Sequence, residues 1–183
     1  MSNVGRKQPV SIVTVYKGNT AMTMDQPNLL KMLCATRFAE GLSHEHLACL
    51  CRAGRLVRLS PNQLLFREGD TEDEVFVISS GHVRLAMNIP GRGDVPFLTA
   101  GPGDLVGWSG LISDGRMTAT ATTVDETTLI ALSGKRLQEL CNCEKDLGYV
   151  LLRRVAQVLS QRLLSTRLQM LDLFEKEQTQ KVS

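Results

Sequence analysis

No run of about 18 apolar residues occurs in the 183-residue sequence, so no helix of the kind that spans a bilayer is expected. The N-terminus also lacks the charged-then-apolar plan and small-residue cleavage site of a signal peptide. Neither sign of charge dominates. The 21 basic and 19 acidic residues leave a net charge of +2, too little for a nucleic-acid-coating surface or a polybasic membrane anchor. Histidine occurs only three times. His44 and His46 lie two apart on an expected helix and point to roughly opposite sides, which leaves His82 alone in the β-rich region. A barrel metal site needs several histidines and a carboxylate converging, so that class of enzyme is not expected. Paired cysteines are lacking as well: Cys34, Cys49, Cys51, Cys141 and Cys143 leave one over even if the others bridged. Free thiols in a reducing, cytoplasmic setting follow, and the Cys-x-Cys spacings do not suit an iron–sulfur cluster. No nucleophile stands where a histidine could activate it, and Gly91-Arg92-Gly93-Asp94 lacks the lysine and helix of a phosphate loop. Catalysis is not expected.

What the chain does contain is enough apolar residue, 43%, for one core, and 183 residues suit one domain with an appendage. Residues 1–24 show no clear helical period, with a brief alternating patch from Ser11 to Tyr16, and are expected to form a flexible arm or one added strand. From Pro27, Leu29, Leu30, Met32 and Leu33 suggest a first helix, and Ser43 is placed to cap a second that starts at His44. From Leu56 to Leu132 the texture changes to short β-rich runs: Leu56–Leu59, Leu64–Phe66, Val75–Ile78, Val83–Met87, Val95–Leu98, Thr118–Val124 and Leu129–Leu132. Glycines at 69, 81, 91 and 93 punctuate them where tight turns need positive φ or close approach. The expected fold class is mainly β with flanking helices: an antiparallel β-roll (a jelly roll or double-stranded β-helix), with its flanking short helices, over residues 25–143.

A helical pattern returns after Ser133-Gly134, first near Lys135 to Cys141 and then over residues 144–177, with a polar, frayed tail at 178–183. Along the long helix Leu152, Val155, Leu159, Leu163, Thr166, Met170 and Leu173 recur at three- and four-residue steps, beside a second stripe of Leu151, Val158, Leu164, Leu168 and Leu171. One stripe is expected to pack on the roll and the other on a second chain, which predicts a homodimer through this C-terminal helix.

Between the β-runs lies Gly103-Asp104-Leu105-Val106-Gly107-Trp108-Ser109-Gly110-Leu111, followed by Arg116, Met117 and Thr118. A glycine-punctuated turn into a short helix gathers backbone N–H groups in a way that suits an anion, and an arginine nearby can grip a phosphate. Together with Leu64-Leu65-Phe66-Arg67-Glu68-Gly69-Asp70 and with Val75 to Leu85, this segment resembles the cyclic nucleotide-binding domain, in particular the sensor half of Crp–Fnr family regulators. The resemblance covers roughly residues 30–174.

That resemblance implies a pocket at Gly107, Trp108, Ser109, Gly110 and Leu111. In the family a glutamate follows the cassette glycine and accepts hydrogen bonds from the ribose. Here Gly107 is followed by Trp108, which has a donor and no acceptor. The family arginine falls on Met117 when counted back from Leu132 through Thr123, Ala121 and Ala119, or on Arg116 if the loop Ser113-Asp114-Gly115 absorbs the offset. Ser165-Thr166 lies near the helix position that meets the base, and Thr166 alternatively bonds its own helix backbone within the seam.

The resemblance thus implies a non-catalytic regulatory module for an anionic or aromatic small effector, in which tight binding of cyclic AMP or cyclic GMP is not expected. The family's DNA-binding winged helix has no counterpart here, so direct DNA binding by this chain is not expected and a protein partner would carry the signal. Two other readings stand beside it: a ligand-free interaction scaffold, or a shortened Crp–Fnr-type regulator that pairs with a DNA-binding relative.

Overall fold

A computed structural model of the protein describes residues 26–112 and 114–181, so the expected arm at 1–24 lies outside the described residues. Helix α1 (Gln26–Cys34), a 3-10 turn (Arg37–Ala39) and α2 (His44–Ala53) lead into eight strands. Ser43 caps α2, its side chain accepting from the N–H of His46 at 3.1 Å. Ser43→Ala should therefore lower stability by about 1 kcal/mol in denaturant melts, with little change in the slope.

The strands are β1 (Gly54–Leu59), β2 (Leu64–Phe66), β3 (Glu74–Ser80), β4 (Val83–Ile89), β5 (Gly93–Ala100), β6 (Leu105–Val106), β7 (Thr120–Thr123) and β8 (Thr127–Ser133). They form two antiparallel four-stranded sheets, ordered β1-β8-β3-β6 and β2-β7-β4-β5. This is the expected β-roll with flanking helices. Pro96 is tolerated because β5 is the edge of its sheet, and the register slips opposite it, between Leu85 and Ala86. Strand β6 was not legible: two residues are too few for a period, yet Phe76 pairs with Val106 and Val77 with Leu105.

The first sheet is buried on both faces, which explains why Val75 to Ile78 is apolar without alternation. Phe76 and Ile78 point into the roll with Phe66, Val106, Leu129 and Ala131. Val75 and Val77 point outward, into a second cluster with Leu33, Leu50, Ile130 and Leu132 that the helices cover. Each buried apolar residue on the central strands of this sheet thus belongs to one core or the other according to its parity.

After β8 come α4 (Gly134–Cys143) and α5 (Lys145–Lys181), the last running into the residues expected to form the frayed tail. Leu147, Leu151 and Val155 of α5 are buried in the helix-covered cluster, with Val158 and Leu159 packed against it. Leu152 and Leu163 remain 57% and 54% exposed, alongside Tyr149 and Leu164. Two stripes do exist, but their membership differs from the spacing argument. Val155 follows Leu147 and Leu151 at four-residue steps into the core and leaves the seam to which its three-residue distance from Leu152 assigned it. Among the described residues no helix is long and apolar enough to cross a membrane.

Candidate functional site

Strand β6 ends at Val106, and Gly107 then turns the chain with φ +73° into helix α3 (Ser109–Ile112). A side chain at 107 would stand 3.0 Å from the carbonyl oxygen of Glu74, so the turn packs directly on β3. The N–H groups of Gly110 and Leu111 already donate to the carbonyls of Gly107 and Trp108, each at 3.0 Å. Those two donors close the turn and are not presented to a ligand.

Gly107, Trp108, Ser109, Met117 and Thr118 line one cavity, completed by Phe66, Leu85, Ala119 and Arg162. Its volume is about 20 Å³. That holds about one water, whereas sites for small organic ligands run to about 300 Å³ and more. Two of the five expected cassette residues stand elsewhere. Leu111 packs in the helix-covered cluster, where its carbonyl accepts from Gln138 Nε2 at 2.9 Å, and Gly110 sits against the backbone of Glu72 to Glu74.

Backbone pairing sets which of Arg116 and Met117 faces inward. Met117 N–H donates to the Asp70 carbonyl and its own carbonyl accepts from Gly69 N–H, both at 2.8 Å, which fixes Met117 inward at 3% exposure. Arg116 is then turned out: it is exposed, bridges Thr71, and its N–H donates to Asp114 Oδ1 at 3.2 Å. Arg116 therefore does not line the cavity. Thr166 lies on α5, but its side chain is outside the described residues.

The cation on the cavity lining is Arg162, which the sequence reading missed. It projects from α5 and donates from Nη2 to the Leu105 carbonyl of β6 at 3.0 Å. Burial lowers its pKa, opposed by the neighbouring Asp104 carboxylate. The signal was present in the sequence: a basic residue one turn beyond Leu151, Val155 and Val158, where an apolar residue would continue the stripe. On the reverse side of the cassette, burial pushes the Glu72 carboxyl up, reinforced by Glu74, Asp70 and Asp73. Among the described residues no group of three or more His, Cys, Asp or Glu could hold a metal ion.

Comparison with known proteins bears on this arrangement. Residues 56–143 match the family model described as cyclic nucleotide-binding domain. The CRP-like cAMP-activated global transcriptional regulator of Mycobacterium tuberculosis is 24% identical over 143 residues, which are 78% of this chain and 62% of that regulator. The chain thus spans less than two thirds of that relative's length. Among solved structures, a cyclic nucleotide-binding domain from Methylobacillus flagellatus superposes with a TM-score of 0.69 at 23% identity, covering 80% of this chain and 83% of that one. The N-terminal domain of a transcriptional regulator from Streptomyces coelicolor superposes with a TM-score of 0.60 at 30% identity, covering 74% of this chain and 94% of that domain. With its roll, its glycine cassette and its long C-terminal helix, the chain belongs to the cyclic nucleotide-binding domain family, with CRP-like regulators among its relatives.

Proposed function

We propose that this chain is a non-catalytic regulatory module that senses a small anionic or aromatic effector other than cyclic AMP or cyclic GMP, and that signals as a homodimer through α5. The observation that supports this most is Arg162: one side chain joins the cavity to the helix next to the exposed Leu163. An anion entering the cavity competes with the Leu105 carbonyl for the guanidinium. Moving that guanidinium moves α5 relative to β6, which is a differential contact of the kind a two-state switch requires.

A cyclic nucleotide is disfavoured because Trp108 offers the ribose hydroxyls no acceptor and Met117 offers the phosphate no charge. The filled cavity favours a second reading, in which the roll is a ligand-free scaffold and α5 docks a protein partner. The two readings share the dimer and differ in whether anything displaces Met117 and Arg162.

The dimer is tested by sedimentation equilibrium. Tyr149 and Leu152, three residues apart, and Leu163, three turns further on, are exposed on α5, and burying each leucine contributes about 1.5–3 kcal/mol. The wild type should sediment as a dimer, and Leu152→Glu with Leu163→Glu as a monomer of unchanged β-content. A wild type that stays monomeric at every concentration contradicts the proposal.

A further inference from the structure

Apart from the interior of the roll, a second cavity of about 320 Å³ opens between α2 and α4. Its size falls within the range of small-molecule sites. Two cysteines from different helices line it, Cys49 of α2 and Cys143 at the end of α4, together with Arg52, Arg136 and Glu139. Arg52 Nη2 donates to Cys49 Sγ at 2.8 Å. Two guanidinium groups against one carboxylate make the lining net positive, so a ligand that settles there is favoured when anionic.

The remaining thiols are differently placed. Cys51 is buried, and burial pushes its thiol up to about 11 with Cys34 adding to the effect. Burial likewise pushes the Cys141 thiol up. Neither is suited to act as a thiolate nucleophile. Cys34 is exposed at the end of α1 and does not line this cavity.

We propose that the α2–α4 cavity is a thiol-modification site that takes a small anionic disulfide, with Arg136 meeting a carboxylate of that molecule and Cys49, held by Arg52, exchanging with it. In the step, the Cys49 thiolate forms an S–S bond to one sulfur of the incoming disulfide as that molecule's own S–S bond breaks. The other half leaves as a thiolate and takes a proton from water, while the Cys49 proton has gone to solvent. The protein sulfur is oxidised, and the small disulfide supplies the oxidising equivalent and is reduced.

The full chain, with its thiols first reduced, is incubated separately with oxidised glutathione, an anionic disulfide, and with cystamine, a cationic one. Adducts are located by peptide mapping, and each rate is normalised to that of the same disulfide with free cysteine. The expected result is a single glutathione adduct at Cys49, with a normalised rate on the order of tenfold above that of cystamine at low ionic strength. Arg136→Gln should bring that ratio towards one, and Cys49→Ser should remove the adduct while Cys143→Ser retains it. An adduct that forms first on Cys143 or Cys34, or equal normalised rates for the two disulfides in the wild type, overturns the assignment.

Discussion

Trp108→Glu is expected to raise the affinity for cyclic AMP by about one to two decades over the wild type, measured by titration calorimetry. The wild-type chain should show no submicromolar binding of either cyclic AMP or cyclic GMP. The cause is the cassette's hydrogen-bonding chemistry. Ribose hydroxyls donate, and the side chain after Gly107 is an indole with an N–H and no acceptor. A carboxylate there restores charge-assisted hydrogen bonds worth about 1.5–3 kcal/mol, which is the stated affinity gain. The wild-type cavity of about 20 Å³ must also open before any nucleotide enters. The part of that cost set by Met117 and Arg162 is common to both proteins and leaves their ratio unchanged. Because Trp108 also packs against the helix-covered core, the variant is compared with the wild type after circular dichroism shows the same folded signal. Submicromolar binding by the wild type would overturn this part of the account.

Gly134→Ala should lower stability by about 3 kcal/mol. A β-carbon at 134 would stand 2.1 Å from the carbonyl oxygen of Gly110, 2.8 Å from its carbon and 2.9 Å from the carbonyl oxygen of Asp73. All three are backbone atoms, so no side chain can swing aside. The N–H of Gly134 also donates to the Asp73 carbonyl at 2.6 Å, which ties the start of α4 to the β3 entry. Relief therefore requires α3 and α4 to separate, and α3 carries the cassette. For a domain of this size the melting temperature should fall by roughly 6–12 °C. A fall of under 2 °C would show that the cassette and α4 are less tightly joined than this packing requires.

The parts of the fold that were legible are those written in local chemistry. Ser43 signals a cap because its hydroxyl needs only its own neighbours, and the glycine-bounded β-runs signal a roll because turns and alternation are short-range. The two-residue strand β6 was not legible, since its existence depends on pairing with β3. The same holds for the cassette. Gly107, Trp108 and Ser109 could be placed at a cavity from their order along the chain, but the facing of Met117 over Arg116 rests on hydrogen bonds to Gly69 and Asp70. Arg162 is marked in the sequence only by its interruption of an apolar stripe, and its role depends on a tertiary contact. Its partner, the Leu105 carbonyl, lies 57 residues away. The pairing of Cys49 with Cys143 across one cavity is likewise a tertiary fact, invisible to a count that treats the cysteines by spacing alone.

Native mass spectrometry of the protein purified from its own cells under non-denaturing conditions tests the central claim most directly. The account predicts a dimer that carries a small molecule whose mass is not that of a cyclic nucleotide, and the loss of that molecule in Arg162→Gln. A bound cyclic AMP or cyclic GMP, or a wild-type mass equal to the bare polypeptide, would contradict it.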